Sequence, residues 1–321
     1  MKKLYLHIGY PKTATTTLQK AVLSKLKDLV YLGKYPYLTN DISSLVNYFV
    51  YNDKLSDDNL INIKNIINKA SKNLLLSAED LLSRKFHRID KLKDKNKYAV
   101  NLFDVAKRVK YFFNLNFPDI EIKIVFSIRE QKSMIESYYI YHNLFFQRMG
   151  FKTIDDFINY SIKNDIYISH YKYSEVIDYY ENLFGKNNIL VLIYEDIKYN
   201  KEFYIKEFAD FINVSSETMI NHLQNKKENA VQVGNKGKKR NFNLYDLIVV
   251  YKQKYINNIK VNKYISNIIR KIFINIPAFN KEVKSLNIKQ KKLIDKYFKK
   301  DNKILFERFK NLKIKWSKND S

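Results

Sequence analysis

The stretch Lys3-Leu4-Tyr5-Leu6-His7-Ile8-Gly9-Tyr10-Pro11-Lys12-Thr13-Ala14-Thr15-Thr16-Thr17-Leu18-Gln19 decides how this chain folds. Residues 3–8 read as a short strand, Gly9-Tyr10-Pro11 breaks it, and a helical pattern runs from about Ala14 to Leu26. Strand, tight loop and helix in that order form the opening unit of an α/β fold.

Outward from this unit the alternation continues. Helical patterns near 42–52 and 59–72 lead to a second buried strand, Asn73-Leu74-Leu75-Leu76-Ser77, with Ser77 and Asp80 expected to form a capping box for a following helix. A helix near 101–115 precedes a third strand, Glu121 to Ile128, and Gln131 to Met149 is helical again. Two further helices lead to the fourth strand, Asn188 to Ile193. Strands separated by helices predict a parallel α/β sheet of four to five strands covered on both faces, with ligands beyond the carboxyl ends of the strands. No internal repeat is visible. The basic run Val233 to Arg240 reads as a loop, a mobile junction, and the patterns over 243–276 and 287–312 are helical. The expected organisation is an α/β core over residues 1–240 and a helical extension over 241–321 packed on the same domain.

The chain has 321 residues, ample for a large core, and its 45% hydrophobic and 28% charged residues with 6 Gly and 4 Pro exclude collagen-like and mostly disordered classes. The absence of Cys removes disulfide scaffolds, thiolate metal sites and cysteine nucleophiles, and no metal cluster is visible in the sequence. The N-terminal apolar run is too short for a signal peptide and nothing approaches the roughly 18 apolar residues of a membrane span, so cytoplasmic residence is expected. The net charge is +25, but only eight of the 58 cations are Arg, and the recurring Ile, Asn, Lys and Tyr match an A/T-rich coding bias. No nucleic-acid partner is expected from such a composition, because base reading and bidentate phosphate binding favour Arg.

Between the strand and the helix, backbone N–H groups, the hydroxyls of Thr13, Thr15, Thr16 and Thr17 and the Lys12 ammonium make a cradle for a phosphate or phosphosulfate. A Walker A loop would place its lysine after a second glycine, whereas Lys12 follows Gly9 by three residues, which disfavours ordinary NTP binding. At the end of the third strand Arg129 leaves the tip and Ser137 lies eight residues on, about two helical turns into the next helix, so both can reach one phosphate.

Pro11-Lys12-Thr13-Ala14-Thr15-Thr16 resembles the 5′-phosphosulfate loop, P-K-T/S-G-T-T/S, of the sulfotransferases that use 3′-phosphoadenosine 5′-phosphosulfate (PAPS), with Ala14 where the family usually has Gly. Ser127 to Tyr138 is similar to the family's 3′-phosphate motif, with Gln131 where Pro is common. Leu192-Ile193-Tyr194-Glu195-Asp196-Ile197 and Asp301-Asn302-Lys303-Ile304-Leu305 are weaker echoes of a strand-ending segment and of a carboxyl-terminal segment of bacterial members; Glu195 and Asp196 are expected to be structural.

The resemblance implies a P-loop-like fold and a PAPS-dependent sulfotransferase without a metal, of the bacterial carbohydrate type. Pro11, Lys12, Thr13, Ala14, Thr15 and Thr16 would hold the phosphosulfate, Arg129 and Ser137 the 3′-phosphate, and Lys12 would also neutralise charge growing on the leaving phosphate. Glu79 is the expected base, with His87 and His142 as alternatives, while His7 inside the first strand is expected in the core. A basic glycine-containing loop elsewhere in the family suggests that Lys236 and Arg240 close over the 3′-phosphate or adenine; a solvated surface loop is the simpler reading. The acceptor implied is a carbohydrate or lipid-linked glycan hydroxyl, with peripheral membrane association and oligomeric state left open. Two other readings stand beside it: a nucleotide-dependent phosphotransferase with an atypical phosphate loop, and a non-catalytic basic protein binding nucleic acid or membrane.

Overall fold

Strand β1 (Lys2–His7) lies central in the computed structural model, followed by β2 (Val30–Tyr31), β3 (Leu74–Ser77), β4 (Ile120–Ile128) and β5 (Ile189–Ile193). They form a five-stranded sheet in the order β2-β3-β1-β4-β5, and every neighbouring pair is parallel. The structure describes residues 1–34, 39–82, 101–224, 238–243, 248, 272–273, 277–283 and 285–317, with backbone alone at 144, 145, 148, 224, 238–243 and 277–283.

Register follows from the strand period of two. Leu4 pairs with Leu74 on one side and Ile122 on the other. Leu4, Leu6, Leu74, Leu76, Ile122, Ile124 and Phe126 therefore fill one face of the sheet, and Tyr5, Leu75, Val125 and Leu192 fill the other. The first face is covered by α2 (Asn40–Tyr51), α3 (Asp57–Lys69), α4 (Leu102–Asn116), α5 (Gln131–Tyr141), a short α6 (Asn143–Arg148), α7 (Ile154–Lys163) and α8 (Tyr173–Phe184). The second is covered by α1 (Thr15–Ala21), α10 (Lys201–Ile212) and α11 (Ser216–Gln224), the short α9 (Tyr194–Tyr199) leading into α10. A one-residue slip in any strand would exchange its two apolar sets and is strongly opposed.

Several expectations need correction. β2 is an edge strand of two residues, too short to carry an alternation pattern. The first helix ends at Ala21, and Leu23–Lys25 form a 3-10 turn. Ser77 and Asp80 do not form a capping box: Ser77 is buried in β3 and bound to His7 and Gln19, and Glu79–Leu81 are a 3-10 turn whose N-cap, Ala78, has no side-chain cap. The run expected as a loop over 233–240 ends in a strand, β6 (Lys238–Asn243), antiparallel to β7 (Pro277–Val283), with Arg240 opposite Lys281. The expected boundary at residue 240 thus falls inside a paired strand. Residues 225–237, with Lys236, and most of the helical pattern over 243–276 lie outside the described residues, as does His87.

The carboxyl-terminal helix α12 (Ile288–Arg308) opens with a capping box, Asn287 Oδ1 accepting from the Gln290 N–H (2.9 Å) and Gln290 Oε1 from the Asn287 N–H (2.7 Å). It packs on α5, α7 and α8, and α13 (Leu312–Ser317) follows. Among the described residues no helix is long and apolar enough to cross a membrane.

Beneath the carboxyl edge of the sheet lies a buried polar network. His7 Nδ1 is 2.8 Å from Ser77 Oγ, Ser127 Oγ lies 3.1 Å from the Tyr204 hydroxyl, and Gln19 Nε2 donates to Ser77 Oγ (2.9 Å). It ties β1, β3 and β4 to α1 and α10. Burial pushes the His7 imidazole from its ordinary 6.5 down to about 4, so the fold holds it neutral. Its stabilising contribution is complete above pH 6.5 and is lost as pH falls through about 4, a total of about 3 kcal/mol at roughly 1.4 kcal/mol per pH unit. Urea unfolding of wild type and His7→Gln between pH 7 and 4 should show a steeper loss of stability in wild type, the two slopes converging below pH 4.

Candidate active site

The loop between β1 and α1 is held by the strand beside it. Ile8 N–H donates to the Val125 carbonyl (2.9 Å) and Tyr10 N–H to that of Ser127 (3.0 Å), so pairing with β4 continues past the end of β1. A Cβ on Gly9 would stand 2.6 Å from Thr15 Cγ2 and 3.1 Å from Ser127 Cβ, which is why this position takes glycine. Pro11, Lys12 and Ala14 are half-buried at the surface of the loop, whereas Thr13 is fully buried and its hydroxyl donates to the Tyr10 carbonyl (2.5 Å). Lys12 and Ala14 are both left-handed, at φ 67° and 63°. Alternation of this kind builds the concave backbone nests that hold anions, and Ala14 reaches without glycine the conformation its position demands.

Arg129 leaves the tip of β4 and is fixed on three sides. Its Nη1 donates to the Lys12 carbonyl (3.0 Å), its Nε donates to Ser133 Oγ (2.9 Å), and its guanidinium lies 4.4 Å over the Tyr194 ring. The Arg129 carbonyl accepts from the Tyr173 hydroxyl at 2.8 Å. Ser133 and Ser137 stand one turn apart on α5, and Ser137 is half-buried. The two expected anion-binding segments, around Lys12 and around Arg129, therefore lie side by side at the carboxyl edge of the sheet.

Glu79 joins them from β3. Its Oε2 accepts from the buried Thr15 hydroxyl (2.6 Å), and its Oε1 lies 3.9 Å from Lys34 Nζ; the Glu79 side chain is 22% exposed and that of Lys34 is 53% exposed. Thr16 is half-exposed on the first turn of α1. The Lys12 ammonium lies 4.1 Å over the ring of Tyr141, which is itself exposed. His142 caps the end of α5 with its backbone N–H and packs its ring against Tyr138 and Tyr141. His7 is buried in the sheet, as expected.

Four partners were not among the expected site residues: Tyr194 under Arg129, Ser133 on its Nε, Tyr141 under Lys12, and Lys34 beside Glu79. Ser133 at the i+4 position from Arg129 is the one whose spacing offered a signal. The weaker echoes prove to be braces. Glu195 is buried and accepts from the Glu130 N–H (3.2 Å), Asp196 pairs with Lys315 (2.6 Å), and Asp301 accepts from the Tyr173 and Ser174 N–H groups (3.0 and 2.9 Å) at the start of α8. Gln131, where proline was anticipated, donates to Asn302 Oδ1 (2.7 Å).

Residues 5–268 match the family model described as "Sulfotransferase domain". The chain belongs to this family. Its members transfer a sulfuryl group to an acceptor. No curated protein matches the chain in sequence. Among solved structures, the sulfotransferase from Alicyclobacillus acidocaldarius is 13% identical, covering 68% of this chain and 83% of its own, with a TM-score of 0.43. Mouse sulfotransferase SULT7A1, solved with PAP, is 14% identical, covering 98% of this chain and 86% of its own, with a TM-score of 0.44.

Two substitutions test the loop. Ala14→Gly should stabilise the fold by about 0.5–1 kcal/mol, since a left-handed alanine costs roughly 1–2 kcal/mol and glycine returns part of that as lost chain entropy. Gly9→Ala should destabilise it by about 1–3 kcal/mol through the clash with Thr15. Urea denaturation midpoints measure both.

Proposed function

We propose that this sulfotransferase moves a sulfuryl group from PAPS to a hydroxyl of a carbohydrate or glycolipid acceptor by in-line displacement, with Glu79 as base. The observation that carries the donor assignment is the hydrogen bond from the Arg129 guanidinium to the Lys12 carbonyl, because it sets two cationic segments, one following β1 and one following β4, side by side. A nucleotide with phosphate at both its 3′ and 5′ positions is the ligand such a pair fits. The carbohydrate class of acceptor rests on the resemblance to bacterial family members.

The residues present suit this co-substrate. Lys12, Thr16 and the loop backbone would face the phosphosulfate, and Arg129, with Ser133 and Ser137 along α5, the 3′-phosphate. PAPS supplies an activated sulfur whose leaving group is a phosphate. Lys12 neutralises charge on the bridging oxygen as its bond to sulfur breaks, an effect typically worth about 3 kcal/mol for one preorganised donor. Glu79 receives the acceptor's proton as the new oxygen–sulfur bond forms, so the products are the sulfate ester, 3′-phosphoadenosine 5′-phosphate (PAP) and a protonated carboxyl. Thr15 donates to Oε2, so Oε1, 3.9 Å from the Lys34 ammonium, is the oxygen assigned to the acceptor's proton.

Calorimetry should find PAP bound about 10- to 100-fold more tightly than AMP, the span expected for charge-assisted hydrogen bonds to one phosphate, and Arg129→Ala should abolish the difference. Equal affinities in wild type would overturn the donor assignment. Glu79→Gln should hold PAP affinity within about three-fold and lower turnover about 10²- to 10⁴-fold, measured as PAP release from PAPS with a sulfated acceptor identified by mass spectrometry; undiminished turnover would place the base elsewhere.

A further inference from the structure

Along the carboxyl edge of the sheet, in strand order, one polar group follows each tip. Lys34 comes just after β2, Glu79 after β3, the Lys12 loop after β1, Arg129 after β4 and Tyr194 after β5. On the reading given above, the 3′-phosphate lies over the β4 side, the phosphosulfate over β1 and the base over β3. The acceptor must then approach over β3 and β2, and Lys34 stands at the far end of that path.

Lys34 is poorly explained as a structural residue. Its side chain is 53% exposed, and its carboxylate neighbour, Glu79 Oε1, is 3.9 Å from the ammonium, near the limit of an ion pair. Exposed pairs of this kind contribute between nothing and about 1 kcal/mol, so the ammonium can exchange its partner at little cost. Proton transfer to Glu79 would also remove the negative charge facing Lys34 during turnover. A second anion, arriving with the acceptor, would keep the ammonium paired throughout.

We propose that Lys34 binds an oxyanion of the acceptor, and that the hydroxyl sulfated belongs to an acidic compound, one carrying a carboxylate or phosphate within a few bonds of the reacting oxygen. This rests on the donor and base assignments above and adds the acceptor's charge to them. The spacing sets the geometry: with Glu79 Oε1 on the hydroxyl proton and Lys34 3.9 Å beyond, the two acceptor groups are neighbours on one sugar ring or one short chain.

The test uses the full chain saturated with PAP, titrated by calorimetry with methyl β-D-glucoside, methyl β-D-glucuronide and methyl β-D-glucoside 6-phosphate. Wild type should prefer at least one acidic probe over the neutral one by about five-fold or more, Lys34→Met should lose the preference, and Lys34→Arg should keep it. The better of the two acids identifies carboxylate or phosphate as the natural anion. Absence of binding by either acid, equal binding of all three, or a preference that survives Lys34→Met would overturn the proposal. So would a Lys34→Met protein with weakened PAP binding, which would place the lysine on the donor. A wild-type protein that holds PAP no better than AMP defeats the donor reading, and this one with it; acid probes without preference on a PAP-loaded protein defeat this one alone.

Discussion

The guanidinium of Arg129 is the group on which the site's geometry depends. It hangs from the tip of β4, yet its Nη1 bonds the backbone of the loop that leaves β1, while its Nε holds α5 through Ser133 and its face lies on Tyr194 at the tip of β5. Hydrogen bonds from a charged donor contribute about 1.5–3 kcal/mol each. The Thr15 hydroxyl extends the linkage to Glu79 beyond β3. Four parallel strands are thereby joined at their ends by side chains as well as along their ladders, and the distances between the groups proposed to act on the donor are set by a rigid sheet.

That arrangement requires a backbone the chain would not adopt by itself. Lys12 and Ala14 are left-handed, and Tyr167, at φ 58° and ψ −69°, forms a γ-turn closed by the Ile168 N–H on the Ile166 carbonyl (2.7 Å). Such conformations persist only where the surroundings over-determine them. Both regions meet at Tyr10, whose ring packs edge-on against Tyr171 and Tyr173 and whose hydroxyl donates to the His170 carbonyl (2.9 Å). Burial pushes the hydroxyls of Tyr10 and Tyr173 well above the usual tyrosine range, so both remain neutral donors beneath the loop.

The carboxyl-terminal helices complete the support from outside the sheet. Asp301 caps the start of α8, Asn302 engages Gln131 at the start of α5, and Lys315 pairs with Asp196 in α9. Each of these contacts spans more than a hundred residues, and each ends on an element that carries or flanks Arg129. Burial raises the Asp301 carboxyl, and the hydrogen bonds from Tyr173 and Ser174 compensate the charged form. The two weaker sequence echoes therefore reflect architecture.

The sequence alone was enough to read the parallel α/β class and four of the five strands, because buried apolar runs bounded by loop residues leave a local signature. It also marked the loop at Pro11 to Thr16 and the pair Arg129 and Ser137, since these lie close together along the chain. The two-residue β2 and the pairing of β6 with β7 left no such signature, because a two-residue strand shows no period and the partners of β6 and β7 are distant in sequence. Only the fold decided which groups meet: that Arg129 bonds the backbone of Lys12, that Thr15 turns to Glu79 and Thr13 inward, and that Lys34 comes to stand beside Glu79. Those neighbours come from different strands, and which strands lie side by side is set by crossover connections and packing, which no stretch of sequence carries locally.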